Sequence, residues 1–166
     1  DLSSFYFDIR KDTLYCEDTN SKKRKDCIKV LNVILECLLK WFAPIFVFTT
    51  EEIYNLIDKS EESIHELNFA KIPITWKNEK LDIKWKTLFK IKQEANIAIE
   101  QKRSDKEIGS SLEASIEIFC GKNDYELMND LDLPEYFITS SATKTMNKNS
   151  KEIKIIVKKA TGKKCP

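Results

Sequence analysis

The spacing of the apolar residues changes once along the chain, close to Gly109. Before this residue, apolar side chains recur at steps of three and four, which is the repeat of an amphipathic helix. After it they alternate with polar residues, which is the repeat of a half-buried strand. These alternating residues are Leu112, Ala114, Ile116 and Ile118. The change predicts a mainly α chain, with an antiparallel helical bundle over residues 1–108 followed by a small α+β subdomain over residues 109–166.

Four segments of the first part show the helical repeat. The first runs to about Tyr15, and the second follows a polar stretch. The third starts at a capping box formed by Thr49 and Glu52, and the fourth ends near Ser104. Their apolar stripes predict the core of the bundle. The predicted core residues are Phe5, Ile9, Leu31, Leu35, Leu38 and Trp85.

The last third of the chain is predicted to contain three strands and one short helix. The strands are expected at residues 112–118, 136–139 and 153–157, and the helix at residues 124–130. A loop rich in Ser, Thr, Asn and Lys separates the last two strands. This arrangement is typical of a small α+β unit.

Composition indicates a globular protein without a large electrostatic bias. The chain has 166 residues, of which 42% are hydrophobic and 33% charged, enough for a core without disulfides or metal. The net charge is +1, so an RNA site requires a local basic patch. No apolar run is long enough to cross a bilayer, and the five irregularly spaced cysteines are typical of reduced thiols. We therefore expect a cytoplasmic protein with no membrane partner.

The sequence lacks the motifs of common catalytic sites. It has three glycines and no Gly-Lys-Ser/Thr phosphate loop. A Cys or Ser nucleophile normally requires a histidine partner, and His65 is the single histidine. We expect a non-catalytic chain in which His65 is structural or exposed.

Basic residues form two local groups. The first lies around the start of the second helix and comprises Arg10, Lys11, Lys22, Lys23, Arg24 and Lys25. The second closes the long helix and comprises Lys102, Arg103 and Lys106. Each group also has a simpler interpretation, as a solvated helix start or as cations that complement the helix dipole. Among the tryptophans, Trp85 is predicted to lie in the core, whereas Trp76 is predicted to be exposed.

Four stretches resemble, in the same order, the anticodon-binding region of bacterial-type isoleucyl-tRNA synthetases. LSSFYFDIRKDTLY at residues 2–15 is similar to the helix that opens the bundle of that family. LLKWFAPIFVFTTEEIY at residues 38–54 is similar to its LAPILPFTAEEIW stretch, and SIH at residues 63–65 to its SVH element. RSDKEIGSSLEA at residues 103–114 resembles the R-x-x-K-x-IGSSLEA junction, the most isoleucine-specific of the four.

The resemblance implies a bundle of the class I synthetase type that docks the anticodon stem-loop of isoleucine tRNA. The parent enzyme is then an ATP-dependent isoleucine-tRNA ligase, with catalytic and editing domains elsewhere in the same chain. The HIGH and KMSKS signatures of the family's nucleotide-binding fold are absent from these residues, so we expect this part to be non-catalytic and to bind no cofactor. We expect a monomer whose two basic groups contact tRNA phosphates.

The final stretch, ATGKKCP, resembles the approach to the family's C-terminal zinc module. Cys165 corresponds to the first ligand of a Cys-x-x-Cys pair in that module. A structural zinc site needs about four ligands, and the partners of Cys165 are not among these residues. We therefore expect no metal here and a zinc ion in the full-length enzyme.

Two residues depart from the family pattern. Val47 replaces a proline, which leaves the start of the third helix defined by Thr49, and Glu107 weakens the positive field at the junction. The near-zero net charge supports an alternative function, a helical protein-interaction module without RNA binding. A single basic face favours RNA binding, whereas an exposed apolar patch favours the interaction module.

Overall fold

The computed structural model describes residues 2–57, 62–147 and 152–162. Most of these residues are helical, and a three-stranded sheet accounts for a smaller share, so the prediction of a mainly helical chain with a small sheet is confirmed. A π-helical segment, Leu2–Phe7, comes first. The α-helices are α1 Lys11–Tyr15, α2 Lys22–Phe42, α3 Val47–Ile57, α4 Glu79–Ser104, α5 Lys122–Leu127 and α6 Leu133–Phe137. The strands are β1 Ala114–Cys120, β2 Ser141–Met146 and β3 Lys154–Lys159.

Contacts divide the chain into two units. One, which we call the sheet unit, contains residues 1–9 and 78–166, and the other, the helical unit, contains residues 10–77. The sequence predicts a boundary at 108/109 instead, between α4 and β1. However, α4 contributes its buried residues to the same core as the strands, so contacts run across that position.

The core of the sheet unit lies between α4 and the sheet. Strand order is β2-β1-β3, with β2 parallel and β3 antiparallel to β1. Because side chains alternate between the faces of a strand, every second residue of β1 is buried. These residues are Ala114, Ile116, Ile118 and Cys120. The helical repeat of α4 places Leu88, Ile91 and Ala95 in the same core.

Aromatic rings extend this core beside α4. The ring of Phe5 lies 4.6 Å from that of Phe89, 6.0 Å from that of Trp85 and 5.8 Å from that of Tyr136, between centroids. Among them the buried Lys92 donates a hydrogen bond of 2.5 Å to the carbonyl oxygen of Tyr136. Burial lowers the pKa of Lys92, and the charge of Asp8 partly opposes that shift.

The predicted core positions of the sheet unit are confirmed to different degrees. Ile9 is buried, at 7% exposure. Phe5 and Trp85 are partly buried and pack against the core. Each of these three residues therefore contributes apolar surface to the interior, as the helical repeat predicts.

The helical unit has a much smaller core, formed by Leu39, Ala43 and Ile64. On α2 the buried residues are Cys27, Cys37 and Leu39. The sequence instead predicts core positions on this helix at Leu31, Leu35 and Leu38, and all three are only partly buried. Leu35 packs against the core, so the predicted orientation of α2 is nearly correct.

The extent of one predicted helix and the start of another are wrong. The first helix is not continuous to Tyr15, because the helical structure that begins at Leu2 is interrupted at Arg10, before α1 begins at Lys11. The third helix begins at Val47, two residues before the predicted cap Thr49. The carbonyl oxygen of Phe46 accepts hydrogen bonds from the amide and the hydroxyl of Thr50, both at 2.9 Å. Thr49 therefore lies inside the first turn and does not cap it.

The strand predicted at residues 136–139 is also wrong. Residues 133–137 form α6, because Asp132 caps the helix by accepting a hydrogen bond from the amide of Glu135, and Pro134 suits its first turn. The apolar side chains of Tyr136 and Phe137, which suggested a strand, are buried in the core from α6 instead. The strand lies at β2 instead, in the predicted loop. As an edge strand that leaves several side chains exposed, β2 accommodates the Ser, Thr and Lys residues of that loop.

Candidate nucleic-acid interface

The first basic group lies where α1 and α2 meet in the helical unit. We call it the α2 group, and it comprises Arg10, Lys11, Lys22, Lys23, Arg24 and Lys25. The partly buried guanidinium of Arg24 donates its Nε hydrogen to the carbonyl oxygen of Leu14, at 3.0 Å. Because α1 has only five residues, it is about 7.5 Å long. This bond therefore holds the start of α2 close to Arg10 and Lys11.

Three lysines of the α2 group, Lys22, Lys23 and Lys25, are exposed on the first turn of α2. The side chain of Lys22 is 93% exposed, and its ammonium lies 3.4 Å from Asp26. The hydrogen bond from Lys22 lowers the pKa of Asp26 below its ordinary value. The first turn holds no acidic residue, although cations at a helix N-terminus oppose the helix dipole by about 0.3–1 kcal/mol each. Helix stability therefore does not explain this concentration of positive charge.

The second basic group lies at the end of α4 in the sheet unit. We call it the α4 group, and it comprises Lys102, Arg103 and Lys106. The ammonium of Lys102 lies 2.7 Å from Glu107, and the guanidinium of Arg103 lies 2.7 Å from Glu100. The predicted weakening of the positive field by Glu107 thus takes the form of a direct ion pair. Cations at the C-terminus of a helix interact favourably with its dipole. Lys102 and Arg103 are therefore also explained as cations that complement the dipole of α4.

A groove of about 410 Å³ opens beside the end of α4. We call it the junction groove, and its lining residues are Glu100, Arg103, Ser104, Lys106, Glu107, Ile108, Gly109 and Lys159. Lys159 ends β3 and is not among the basic residues singled out in the sequence. Because side chains alternate between the two faces of a strand, Lys159 lies on the same face of the sheet as Val157, two residues before it. That signal identifies its face but not its neighbours on α4.

The other residues singled out in the sequence are structural, exposed or outside the described residues. His65 lies in the turn Ile64–Glu66, with Nε2 3.1 Å from the carbonyl oxygen of Val47. Trp76 is 61% exposed, as predicted, whereas Trp85 packs against the core. Cys165 lies outside the described residues. Within residues 2–57, 62–147 and 152–162, no group of three or more His, Cys, Asp or Glu side chains is arranged to hold a metal ion.

The helical unit also exposes many apolar side chains. Its helix α3 buries only Thr50 among its residues. Five apolar residues of α3 are exposed, namely Val47, Phe48, Ile53, Leu56 and Ile57. Phe48 is 89% exposed and Leu56 is 78% exposed. Side chains of this kind usually mark a surface that packs against other protein.

None of the described helices combines the length and apolar character needed to cross a membrane. Over residues 1–118 the chain matches a family model described as the anticodon-binding domain of tRNA ligase. It is similar to the isoleucine-tRNA ligase of Pelagibacter ubique, with 55% identity over 166 residues that cover 100% of this chain and 18% of that protein.

Two further isoleucine-tRNA ligases show the same partial coverage. The protein of Agrobacterium fabrum is 41% identical over 144 residues, covering 86% of this chain and 15% of that protein. The protein of Methylacidiphilum infernorum is 39% identical over 166 residues, covering 100% of this chain and 18% of that protein. The chain thus spans less than a fifth of the length of these relatives. The resemblance drawn from the motifs is confirmed.

Proposed function

Because the chain belongs to the family of anticodon-binding domains of tRNA ligases, we propose that it docks the anticodon stem-loop of isoleucine tRNA. The observation that carries this proposal is the α2 group. Lys22, Lys23 and Lys25 occupy the end of α2 where the helix dipole disfavours cations, and Arg24 holds that end against α1. The phosphates of a bound RNA are attracted to this concentration of positive charge.

Docking through phosphates orients the RNA and makes its affinity depend on salt, because each neutralised phosphate releases counterions. Recognition of unpaired loop bases uses stacking on aromatic rings and hydrogen bonds to base edges. Trp76, in the same unit as the α2 group, has an exposed ring that suits such stacking. The α4 group, on the sheet unit, contributes additional phosphate contacts in this proposal.

In this proposal the rest of the protein attaches isoleucine to the tRNA with ATP. The exposed apolar side chains of α3 then pack against other domains of the same chain, including the catalytic and editing domains. This assignment is preferred to a separate protein-interaction module, because the matched relatives are named as ligases and are more than five times longer than this chain. Cys165 contributes to a zinc site completed by residues beyond these.

Several finer features of the fold and the setting belong to the same proposal. They are the antiparallel arrangement of the bundle helices, a domain boundary at 108/109, a monomeric protein and a cytoplasmic location. The antiparallel arrangement is supported by the short connection between α2 and α3, since short loops join helices that run in opposite directions.

Removal of charge from the α2 group tests the docking proposal. In the full-length protein, Lys22, Lys23 and Lys25 are changed to Ala together, and Arg24 is kept because it joins α2 to α1. Binding of isoleucine tRNA and of a non-cognate tRNA is then titrated over a range of salt concentrations. We expect both affinities to fall and the salt dependence to flatten by about 0.7 per lost contact, with the preference for isoleucine tRNA retained.

The matched control removes the same charge elsewhere, by changing Lys86, Lys122 and Lys158 to Ala. These lysines are exposed and, like Lys22, lie within 4.0 Å of a carboxylate. Binding by this control should stay close to that of the parent. Equal losses in the two triple variants, or none in the α2 variant, would contradict a specific role for the α2 group.

A further inference from the structure

The junction groove contains two cations that have no carboxylate partner within the described residues. Lys102 and Arg103 are engaged by Glu107 and Glu100. Neither Lys106 nor Lys159 forms an ion pair in the part of the chain that the structure describes. Their charges are therefore available to an anion that enters the groove between α4 and β3.

Lys106 occupies a backbone conformation that a lysine rarely adopts. Its φ is 60°, in the left-handed region. It follows the end of α4, and the amides of Lys106 and Glu107 donate to the carbonyl oxygens of Arg103 and Lys102. Glycine is the usual residue at such a helix end, because a Cβ is disfavoured there. A lysine at this position adds no backbone advantage, so its value lies in its side chain.

These same amides also remove an obstacle to an anion at this helix end. Free carbonyl groups at a helix C-terminus repel negative charge. At α4 the carbonyl oxygens of Gln101, Lys102 and Arg103 each accept a backbone hydrogen bond from residues 105–107. These hydrogen bonds reduce the repulsion that the carbonyl groups exert on an anion in the groove.

A second, larger groove adjoins the first and shares Glu100 and Arg103 with it. Its lining includes Asn96, Ile97, Ser110 and Ser111. Ile97 is 71% exposed, which gives this groove an apolar edge. Among the described residues, the side chains of Asn96, Ser110 and Ser111 make no hydrogen bond. Apolar surface beside free polar groups suits a nucleobase better than a simple anion.

We propose that the two grooves together bind one unpaired nucleotide of the tRNA. Its phosphate lies against Lys106 and Lys159, and its base lies in the adjoining groove beside Ile97. This site rests on the proposed function, and it adds Lys159 and a base-binding surface to the α4 group. Lys102, which is engaged by Glu107, takes no part in it.

Two substitutions in the full-length protein test the phosphate side of the site. Lys106→Gly removes the cation and supplies the residue that the backbone favours, and Lys159→Gln keeps most of the aliphatic stem. We expect each to weaken tRNA binding about fourfold at 0.15 M salt and to reduce the salt slope by about 0.7, as one lost contact does. Lys106→Gly should also raise the melting temperature, which separates lost binding from lost folding.

Lys158→Gln is the matched control for Lys159→Gln. It is the neighbouring residue on β3, points to the opposite face of the sheet and pairs with Glu117 at 2.9 Å. On the base side, Ile97→Ala should weaken binding without changing the salt slope, whereas Ile83→Ala, also exposed on α4, should have no effect.

The outcomes distinguish this site from the docking proposal. If the parent protein binds tRNA and both lysine variants match it, the nucleotide site is refuted while docking through the α2 group stands. An unchanged affinity for Ile97→Ala refutes the base-binding groove and with it the assignment of a nucleotide. If the parent does not bind isoleucine tRNA at all, the proposed function itself fails.

Discussion

The sheet unit and the helical unit differ in how much apolar surface they bury. In the sheet unit, side chains from α4, α6 and the strands meet in one core, and residues such as Leu88 and Ile116 are fully buried. Among the described residues of the helical unit, the hydrophobic core cluster contains three buried residues, whereas α3 exposes most of its apolar side chains. Burial of apolar surface is the main stabilising term in folding. The comparison teaches that the sheet unit supplies more of its own stability than the helical unit does.

The largest expected effect tests that comparison directly. Leu88→Ala should lower the free energy of unfolding of the sheet unit by about 2–5 kcal/mol, because it leaves a cavity in a closed core. Leu35→Ala in the helical unit should cost only about 1–2 kcal/mol, since Leu35 is partly buried. Amide hydrogen exchange, followed separately in each unit, measures both effects. A greater loss from Leu35→Ala would reverse the comparison.

A smaller effect is expected at Tyr136, where the core of the sheet unit contains a polar atom. The buried hydroxyl of Tyr136 has no hydrogen-bond partner among the described residues, and burial raises its pKa above the ordinary value of about 10. Tyr136→Phe removes this atom and should stabilise the unit by about 1–2 kcal/mol at neutral pH. Urea unfolding monitored by circular dichroism measures the change.

The pH dependence of the same variant follows from the direction of the pKa shift. Above about pH 10 the unfolded chain loses the proton of Tyr136, whereas the folded chain keeps it. The free energy of unfolding is therefore unaffected by this group below about pH 10 and falls as the pH rises further. Tyr136→Phe should remove that alkaline loss. The lowered pKa of Lys92 acts in the opposite direction in parent and variant alike. Tyr15→Phe, at a side chain 84% exposed, should leave both the stability and its pH dependence unchanged.

The smallest expected effect is a change in stability of opposite sign when a cation of the α2 group and a cation of the α4 group are replaced by Glu. Lys25→Glu places a carboxylate near the N-terminus of α2 and four residues before Lys29, so it should stabilise the helical unit by about 0.3–1 kcal/mol. Lys102→Glu should instead destabilise the sheet unit by a similar amount, because it breaks the pair with Glu107 at the end of α4. Thermal unfolding measures both. A loss of stability from Lys25→Glu would mean that the α2 group supports the helix itself.

Local patterns in the sequence were sufficient for the longest elements. The helical repeat predicts α4 with its end near Ser104, and the alternation after Gly109 predicts β1, because both patterns extend over many residues. Short elements were harder. Tyr136 and Phe137 suggested a strand by composition, yet the cap at Asp132 and burial in the core make this segment helical.

The sequence by itself determined the family and the positions of the basic groups, because motifs and charges are properties of consecutive residues. The tertiary structure decided which of these residues share a surface. Lys159 is distant in sequence from Arg103 and Lys106, and only the packing of α4 against β3 places them around one groove. Likewise, Arg24 joins α2 to α1 through the carbonyl of Leu14, a contact that no local periodicity contains. The physical reason is that hydrophobic burial selects pairings between distant segments, while sequence patterns specify only each segment.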